Sequence, residues 1–155
     1  KRSIQPYSLL ILEQRFGQIR TSGIKPMQIG VPMEIKPQEY RVGMTPGGVR
    51  ELVAAGHTVQ VQTQCGARIG LTDDLYRDAG AQVVETAEAL FADCELIVKV
   101  KEPQAQECHL LRSGQTLFTY LHLAADPEQA QLLMASGANC IAYETVTSPQ
   151  GGLPF

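Results

Sequence analysis

Apolar and polar positions along the chain fall into two alternating periods from Met27 onward. Met27-Gln28-Ile29-Gly30-Val31 predicts a first strand, closed by Pro32, which has no backbone donor to continue a ladder. After a polar loop, Thr45-Pro46 predicts a helix start, with Thr45 as N-cap and Pro46 at the first helical position. Val49, Leu52 and Val53 then recur at helical spacing up to a stop at Gly56. His57-Thr58-Val59-Gln60-Val61-Gln62 alternates like a half-buried strand. A second cycle follows, with Thr72-Asp73-Asp74 capping a short helix that ends at Gly80 and Ala81-Gln82-Val83-Val84 extended after it. Thr86-Ala87-Glu88 opens another helix, and residues 96–101 form a buried strand that turns polar before Pro103. The remaining elements are a helical stretch near residues 108–111, a strand over 116–121, a helix over 127–136 ended by Gly137, and a strand over 139–143.

Strand and helix thus alternate throughout. The expected fold class is α/β, a mainly parallel sheet with helices on both faces, flavodoxin-like or Rossmann-like. In such sheets ligands sit beyond the carboxyl ends of the strands, so polar residues at those ends are the places to look for chemistry.

Composition narrows this picture. A chain of 155 residues, 44% hydrophobic and 19% charged, has the material for one packed domain and lacks the signature of disorder. No run approaches 18 apolar residues, so no membrane-spanning helix is expected, and a net charge of -3 argues against a nucleic-acid partner. The charge is uneven. Residues 1–26 carry five basic residues and one acid, whereas the rest carries 8 basic and 15 acidic residues. Residues 9–12 are too short an apolar stretch for a secretory signal. Residues 1–26 are therefore expected to be a leader outside the domain, with the pattern starting at Met27. Cys65, Cys94, Cys108 and Cys140 lack metal-ligand spacing and are expected to be reduced, mostly buried thiols, with cytoplasm as the default location.

Three strand-end residues could carry chemistry. Lys101 follows the apolar run at 96–100, where a cation can reach a ligand carboxylate or carbonyl; a solvated boundary lysine is the plainer alternative. His122 ends the apolar run at 116–121 and could transfer protons near neutral pH, or be a satisfied core histidine. Arg41 precedes the Thr45-capped helix, where guanidinium and helix N-terminus both favour an anion, or else is a surface loop arginine. His57 and His109 have weaker claims. Together Arg41, Lys101 and His122 describe a pocket for a small carboxylate with a proton donor. No GxGxxG and no Walker-type loop is present, and 66–70 does not supply one, so nothing in the sequence would cradle a nucleotide.

The motifs themselves carry a resemblance. Ile29-Gly30-Val31-Pro32-Met33-Glu34-Ile35-Lys36, Glu39-Tyr40-Arg41-Val42, Thr45-Pro46 and Ala55-Gly56-His57 are followed by Val98-Lys99-Val100-Lys101-Glu102-Pro103. Tyr120-Leu121-His122-Leu123-Ala124-Ala125 and Ala142-Tyr143-Glu144-Thr145 complete the set. In this order and spacing, residues 27–155 resemble the N-terminal substrate domain of the alanine dehydrogenases, in the alanine dehydrogenase/nicotinamide nucleotide transhydrogenase family. Residues 1–26 have no counterpart. The resemblance implies reversible oxidative deamination of L-alanine to pyruvate and ammonia, with NAD accepting hydride. It implies that Arg41 binds the substrate carboxylate, that Lys101 contacts the substrate and polarises its carbonyl or imine, and that His122 is the acid–base residue. Glu144 corresponds to a structural or ion-contacting acid, and no metal site is otherwise expected.

The family continues into a Rossmann domain that binds NAD, supplies a second acid–base aspartate, and returns to complete the first domain. By this resemblance the chain is an N-terminal fragment, expected neither to bind NAD tightly nor to turn over alone. The full-length protein would be a hexamer. The soluble subunit of a proton-translocating transhydrogenase is the alternative reading, although that family typically lacks the lysine and histidine present here. A truncated, non-catalytic module is another, and saccharopine-type dehydrogenases are a more distant relation.

Overall fold

A computed structural model describes residues 25–149 and 151–152. All but Lys25 and Pro26 of the expected leader, and the last three residues of the tail, lie outside the described residues. Six strands form one sheet: β1 (Gln28–Val31), β2 (Thr58–Gln62), β3 (Gln82–Val84), β4 (Leu96–Val98), β5 (Thr116–Thr119) and β6 (Asn139–Ala142). Their order is β3-β2-β1-β4-β5-β6, and every pairing is parallel. The sheet grows outward from β1 to β3, then restarts at β4 and grows the other way. The two halves meet at β1 and β4, where Ile29 pairs with Leu96 and Gly30 with Ile97. That order is the Rossmann-like one of the two arrangements expected, and its reversal opens a crevice above the ends of β1 and β4.

Five helices supply the crossovers: α1 (Pro46–Ala54), α2 (Asp73–Asp78), α3 (Ala87–Asp93), α4 (Ala105–Cys108) and α5 (Pro127–Ser136). They bury two cores. In one, Ile29, Val31, Val59 and Val61 meet Val49 of α1 and Tyr76 of α2. In the other, Ile97 and Leu117 meet Leu90 and Phe91 of α3, Cys108 of α4 and Leu133 of α5. Gly30 shows how the pleat divides them. Its neighbours Ile29 and Val31 enter the first core, while a Cβ on Gly30 would lie 2.5 Å from Leu90 Cδ2 and 2.9 Å from Cys94 Sγ of α3.

The predicted caps at Thr45 and Thr86 form, accepting from Gly48 and Ala89 backbone N–H groups respectively. Gly56, Gly80 and Gly137 end their helices at positive φ. Three local expectations are corrected. Thr72 makes no side-chain cap; Asp73 instead binds back to Thr63 Oγ1 and Gln64 N, at 2.7 and 2.8 Å. The helix expected near residues 108–111 begins earlier, at Ala105, because Gln104 and Glu107 close a capping box there. The strand expected over residues 96–101 ends at Val98; Lys99 N still donates to Phe118 O at 3.0 Å, while its side chain enters a buried ionic cluster. Cys65, Cys94 and Cys108 are buried and Cys140 half-buried, all as free thiols.

Candidate functional site

The crevice between β1 and β4 is built by three loops. After β1, the chain passes through Glu34, Lys36, Glu39 and Arg41 before entering α1. Two contacts hold this arginine loop against the sheet. The Tyr76 hydroxyl donates to Met44 O at 2.8 Å, and Gly43 lies flat on the end of β4. A Cβ at position 43 would sit 2.5 Å from Val98 O, so glycine is what permits that approach.

Arg41 is exposed and its guanidinium is already oriented. Nε and Nη2 donate to the two carboxylate oxygens of Glu39 at 2.9 and 2.6 Å, and the Arg41 backbone N–H adds a third bond at 2.8 Å. These bonds from Arg41 hold the Glu39 carboxyl well below its ordinary value, at about 2. The Nη1 edge of the fork has no partner among the described residues. Arg41, Lys36, Glu34, Tyr40 and Arg68 line a cavity of about 370 Å³, with the Arg68 guanidinium 5.2 Å from the centre of the Tyr40 ring.

After β4, Lys101 stands on a short arch before Pro103. Its carbonyl accepts from Thr119 Oγ1 at 2.8 Å, but its ammonium has no hydrogen bond or ion pair among the described residues. Glu102 pairs with Lys36 of the arginine loop, tying the two loops together. Burial works to raise the Glu102 carboxyl, yet Lys36 and, more weakly, the charge of His122 hold it below its ordinary value.

After β5, His122 adopts a left-handed conformation, φ 49° and ψ 37°, and its ring is exposed. The ring stacks on Tyr120 at 5.8 Å with 10° between planes, and its nitrogens have no hydrogen-bond partner among the described residues. Glu144 fixes this turn from below: its carboxylate accepts from His122 N at 2.8 Å and from Leu121 N at 3.1 Å. Burial works to raise the Glu144 carboxyl, but these backbone donors outweigh it and the group stays ionised below the usual carboxylate range. Tyr143 packs edge-on against both Phe118 and Tyr120, and its hydroxyl donates to Lys99 O at 3.0 Å.

The sequence-predicted residues therefore lie on the loops that follow β1, β4 and β5. Arg41 feels the charge of Glu34, Tyr120 stacks on His122, and Glu102, next to Lys101, feels the charge of His122. Arg41 lines the cavity just described, whereas Lys101 and His122 are not among its lining residues. Lys36 lines both this cavity and a second one of about 410 Å³ beside Glu102, Asp126 and Gln129. Of the weaker candidates, His57 Nδ1 accepts from Met27 N at 3.2 Å, a structural use, and His109 lies exposed at the end of α4. Among the described residues, no group of three or more His, Cys, Asp or Glu side chains could hold a metal ion.

Sequence reasoning missed the most buried charge in the domain. Lys99 is 1% exposed, and its ammonium donates to Glu107 Oε1 at 2.7 Å and to Glu34 Oε2 at 3.2 Å. Glu34 Oε1 also accepts from Val100 N at 2.7 Å, and Glu107 Oε2 from Gln104 N at 2.9 Å. Burial pushes the Glu34 carboxyl above its ordinary value, more than Lys99 pulls it down. Of these three, Glu107 alone left a signal, as the third residue of the Gln104 capping box.

The crevice also answers whether these residues fit a dinucleotide. In sheets of this order the pyrophosphate rests on a tight glycine turn and helix N-terminus directly after β1. Here β1 runs into Pro32, which has no N–H, and then into Glu34, a buried carboxyl facing another carboxyl across Lys99. Helix α1 begins only at Pro46. The described residues do not fit a dinucleotide.

A doubly wound parallel α/β domain, with a cation and histidine crevice at its strand reversal, is thus the class that fold and site define. The family "Alanine dehydrogenase/PNT, N-terminal domain" matches residues 30–155, and the chain belongs to it. The chain is 56% identical over 129 residues to the alanine dehydrogenase of Halomonas elongata and 49% identical over 121 residues to that of Bacillus subtilis, covering 83% and 78% of this chain. A solved L-alanine dehydrogenase superposes with a TM-score of 0.79 at 53% identity, over 83% of this chain and 35% of that one. The transhydrogenase of Sinorhizobium meliloti is more distant, at 0.71 and 27%, over 76% of this chain and 35% of that one. This chain spans 35% and 32% of the length of the two curated relatives.

Proposed function

We propose that this chain is the N-terminal, substrate-binding part of an alanine dehydrogenase, which interconverts L-alanine with pyruvate and ammonia. The observation that carries this reading is the set of unpartnered groups on the loops after β1, β4 and β5. Arg41 Nη1, the Lys101 ammonium and the His122 ring all lack polar partners among the described residues, on a chain 56% identical to an alanine dehydrogenase.

A small 2-amino or 2-oxo acid presents its carboxylate and its reacting carbon a bond apart. Arg41 takes the carboxylate on the edge that Glu39 leaves open. Lys101 donates to the carbonyl oxygen, or favours the partial negative charge that grows there, and so polarises the reacting carbon. The His122 imidazole gives and takes the protons as water adds and ammonia leaves. Glu144 acts on His122 through the backbone, holding the turn that projects the ring.

The hydride acceptor of this reaction would be NAD. Since the described residues do not fit it, the nucleotide is held by residues beyond this sequence, and this chain alone neither binds it tightly nor turns over. The full-length protein works as a cytoplasmic homo-oligomer, a hexamer by family resemblance. Identity to the solved alanine dehydrogenase, about twice that to the transhydrogenase, favours this reading over a membrane-coupled one. A glycine-rich loop downstream of Phe155, without later membrane segments, would separate the two. In the full-length protein, His122→Ala is expected to lower alanine turnover by about 100-fold or more. Wild-type turnover in that variant would remove His122 from the mechanism.

A further inference from the structure

Residues 99–104 form an arch over the end of β4, with Lys101 near its crown. Both feet are held by one buried side chain. Glu107 Oε1 accepts from the Lys99 ammonium at the near foot, at 2.7 Å, and Glu107 Oε2 accepts from Gln104 N at the far foot, at 2.9 Å. Glu34, from the loop after β1, doubles the near foot through Lys99 Nζ and Val100 N. The interior of the arch is tied as well, with Thr119 Oγ1 on Lys101 O and Gln104 Nε2 on Glu102 O at 3.2 Å. Every carboxylate oxygen of Glu34 and Glu107 is engaged, and all three charged side chains are almost fully buried.

A cooperative fold does not require this. Three buried charges are an expensive way to hold a loop, since apolar side chains of similar volume often stabilise equally or better. What an ionic staple supplies is direction: each bond fixes one backbone N–H or one ammonium at a defined point. The Lys101 ammonium, by contrast, is bound to nothing among the described residues, so its position is set by the arch alone. The same staple reaches the histidine side, because Lys99 O accepts the Tyr143 hydroxyl and Tyr143 packs on the Tyr120 that stacks on His122.

We propose that Glu34, Lys99 and Glu107 are positioning residues that aim the Lys101 ammonium at the reacting carbonyl, rather than residues kept for stability. This rests on the functional reading above. An ångström of misplacement at a reacting centre can cost about 100-fold in rate, while Arg41, although on the same loop as Glu34, keeps its own anchor in the Glu39 carboxylate.

The test is the triple variant Glu34→Gln, Lys99→Met, Glu107→Gln in the full-length protein, which removes the staple without leaving a buried charge. It is expected to melt at or above the wild-type temperature. Its kcat for alanine is expected to fall about 100-fold, with the Michaelis constant within about threefold of wild type. Lys99→Arg, which keeps a cation between the carboxylates, is expected to retain at least about a tenth of the wild-type kcat. A stable triple variant with wild-type kcat overturns the inference, as does a rise in the Michaelis constant that accounts for the whole loss. Should the triple variant fail to fold, Glu107→Gln is judged by the same split between kcat and Michaelis constant. If the wild-type protein itself does not turn over alanine, the functional reading fails. The arch is then judged by the crystal structure of the triple variant, where an unmoved Lys101 overturns it and a displaced Lys101 upholds it.

Discussion

Arg41, proposed above to take the substrate carboxylate, is oriented before any ligand arrives. Glu39 occupies two of its guanidinium nitrogens and leaves the other edge facing the cavity. Because the Glu39 carboxyl is held at about 2 by Arg41, this orientation persists across the whole range in which an enzyme works. A lysine at this position would keep the charge and lose the fork. Arg41→Lys is therefore expected to raise the Michaelis constant for alanine about tenfold with little change in kcat, measured by steady-state kinetics on the full-length protein. An unchanged constant would make Arg41 a loop residue only. At this scale the sequence singled out candidate residues and was silent about how they are oriented. Lys101 and Arg41 stand where strand ends predicted them. Lys99 did not reveal itself, because Val98-Lys99-Val100-Lys101 alternates in type without showing which lysine turns inward. Its partner Glu34 lies 65 residues away, at a distance no local pattern spans.

Elements place these residues by close approach. Helix α1 could be inferred from end to end, since Thr45, Pro46 and Gly56 are local signals with local causes. The early end of β4 could not, because its cause is tertiary. The Lys99 side chain turns inward there to reach Glu34 and Glu107, and Glu34 takes the Val100 N–H. Gly43 sits at this junction, its missing Cβ allowing the arginine loop to lie against Val98. Gly43→Ala is expected to push the loop off the end of β4, cost about 1–3 kcal/mol in thermal or denaturant unfolding, and raise the Michaelis constant for alanine along with it. A variant with wild-type stability and kinetics would show that the loop is placed by other contacts. Breaking one partner of the Lys99 cluster alone should cost more, about 3–5 kcal/mol, because a buried charge is left uncompensated.

The whole molecule divides into a sealed interior and an open upper rim. Burial pushes the thiols of Cys65 and Cys108 up to about 11 and that of Cys94 up to about 12. The sign follows from the charge: burial disfavours thiolate, so these groups stay protonated and unreactive until well above pH 8. Labelling the native protein with a thiol-reactive disulfide at pH 8 is expected to leave all three unmodified, and denaturant to expose them. Fast labelling of any of them in the native state would contradict the packed cores on both faces of the sheet. The parallel α/β architecture followed from the alternation of strand and helix, a global property that sequence periodicity reports well. The Rossmann-like order did not follow from it, because which strands are neighbours depends on crossovers rather than on any single segment. That order matters for the proposed function, since it puts the ends of β1 and β4 beside each other at the reversal.

The central claim, that this crevice is the substrate half of an alanine dehydrogenase with Lys101 at the reacting centre, is tested most directly by alanine-dependent reduction of NAD. The assay is run on the full-length protein and its Lys101→Met variant, followed by absorbance of the reduced nucleotide. The account predicts turnover in the wild type and a loss of about 100-fold or more in the variant. A wild type inert toward alanine, or a variant that turns over like it, would contradict the account.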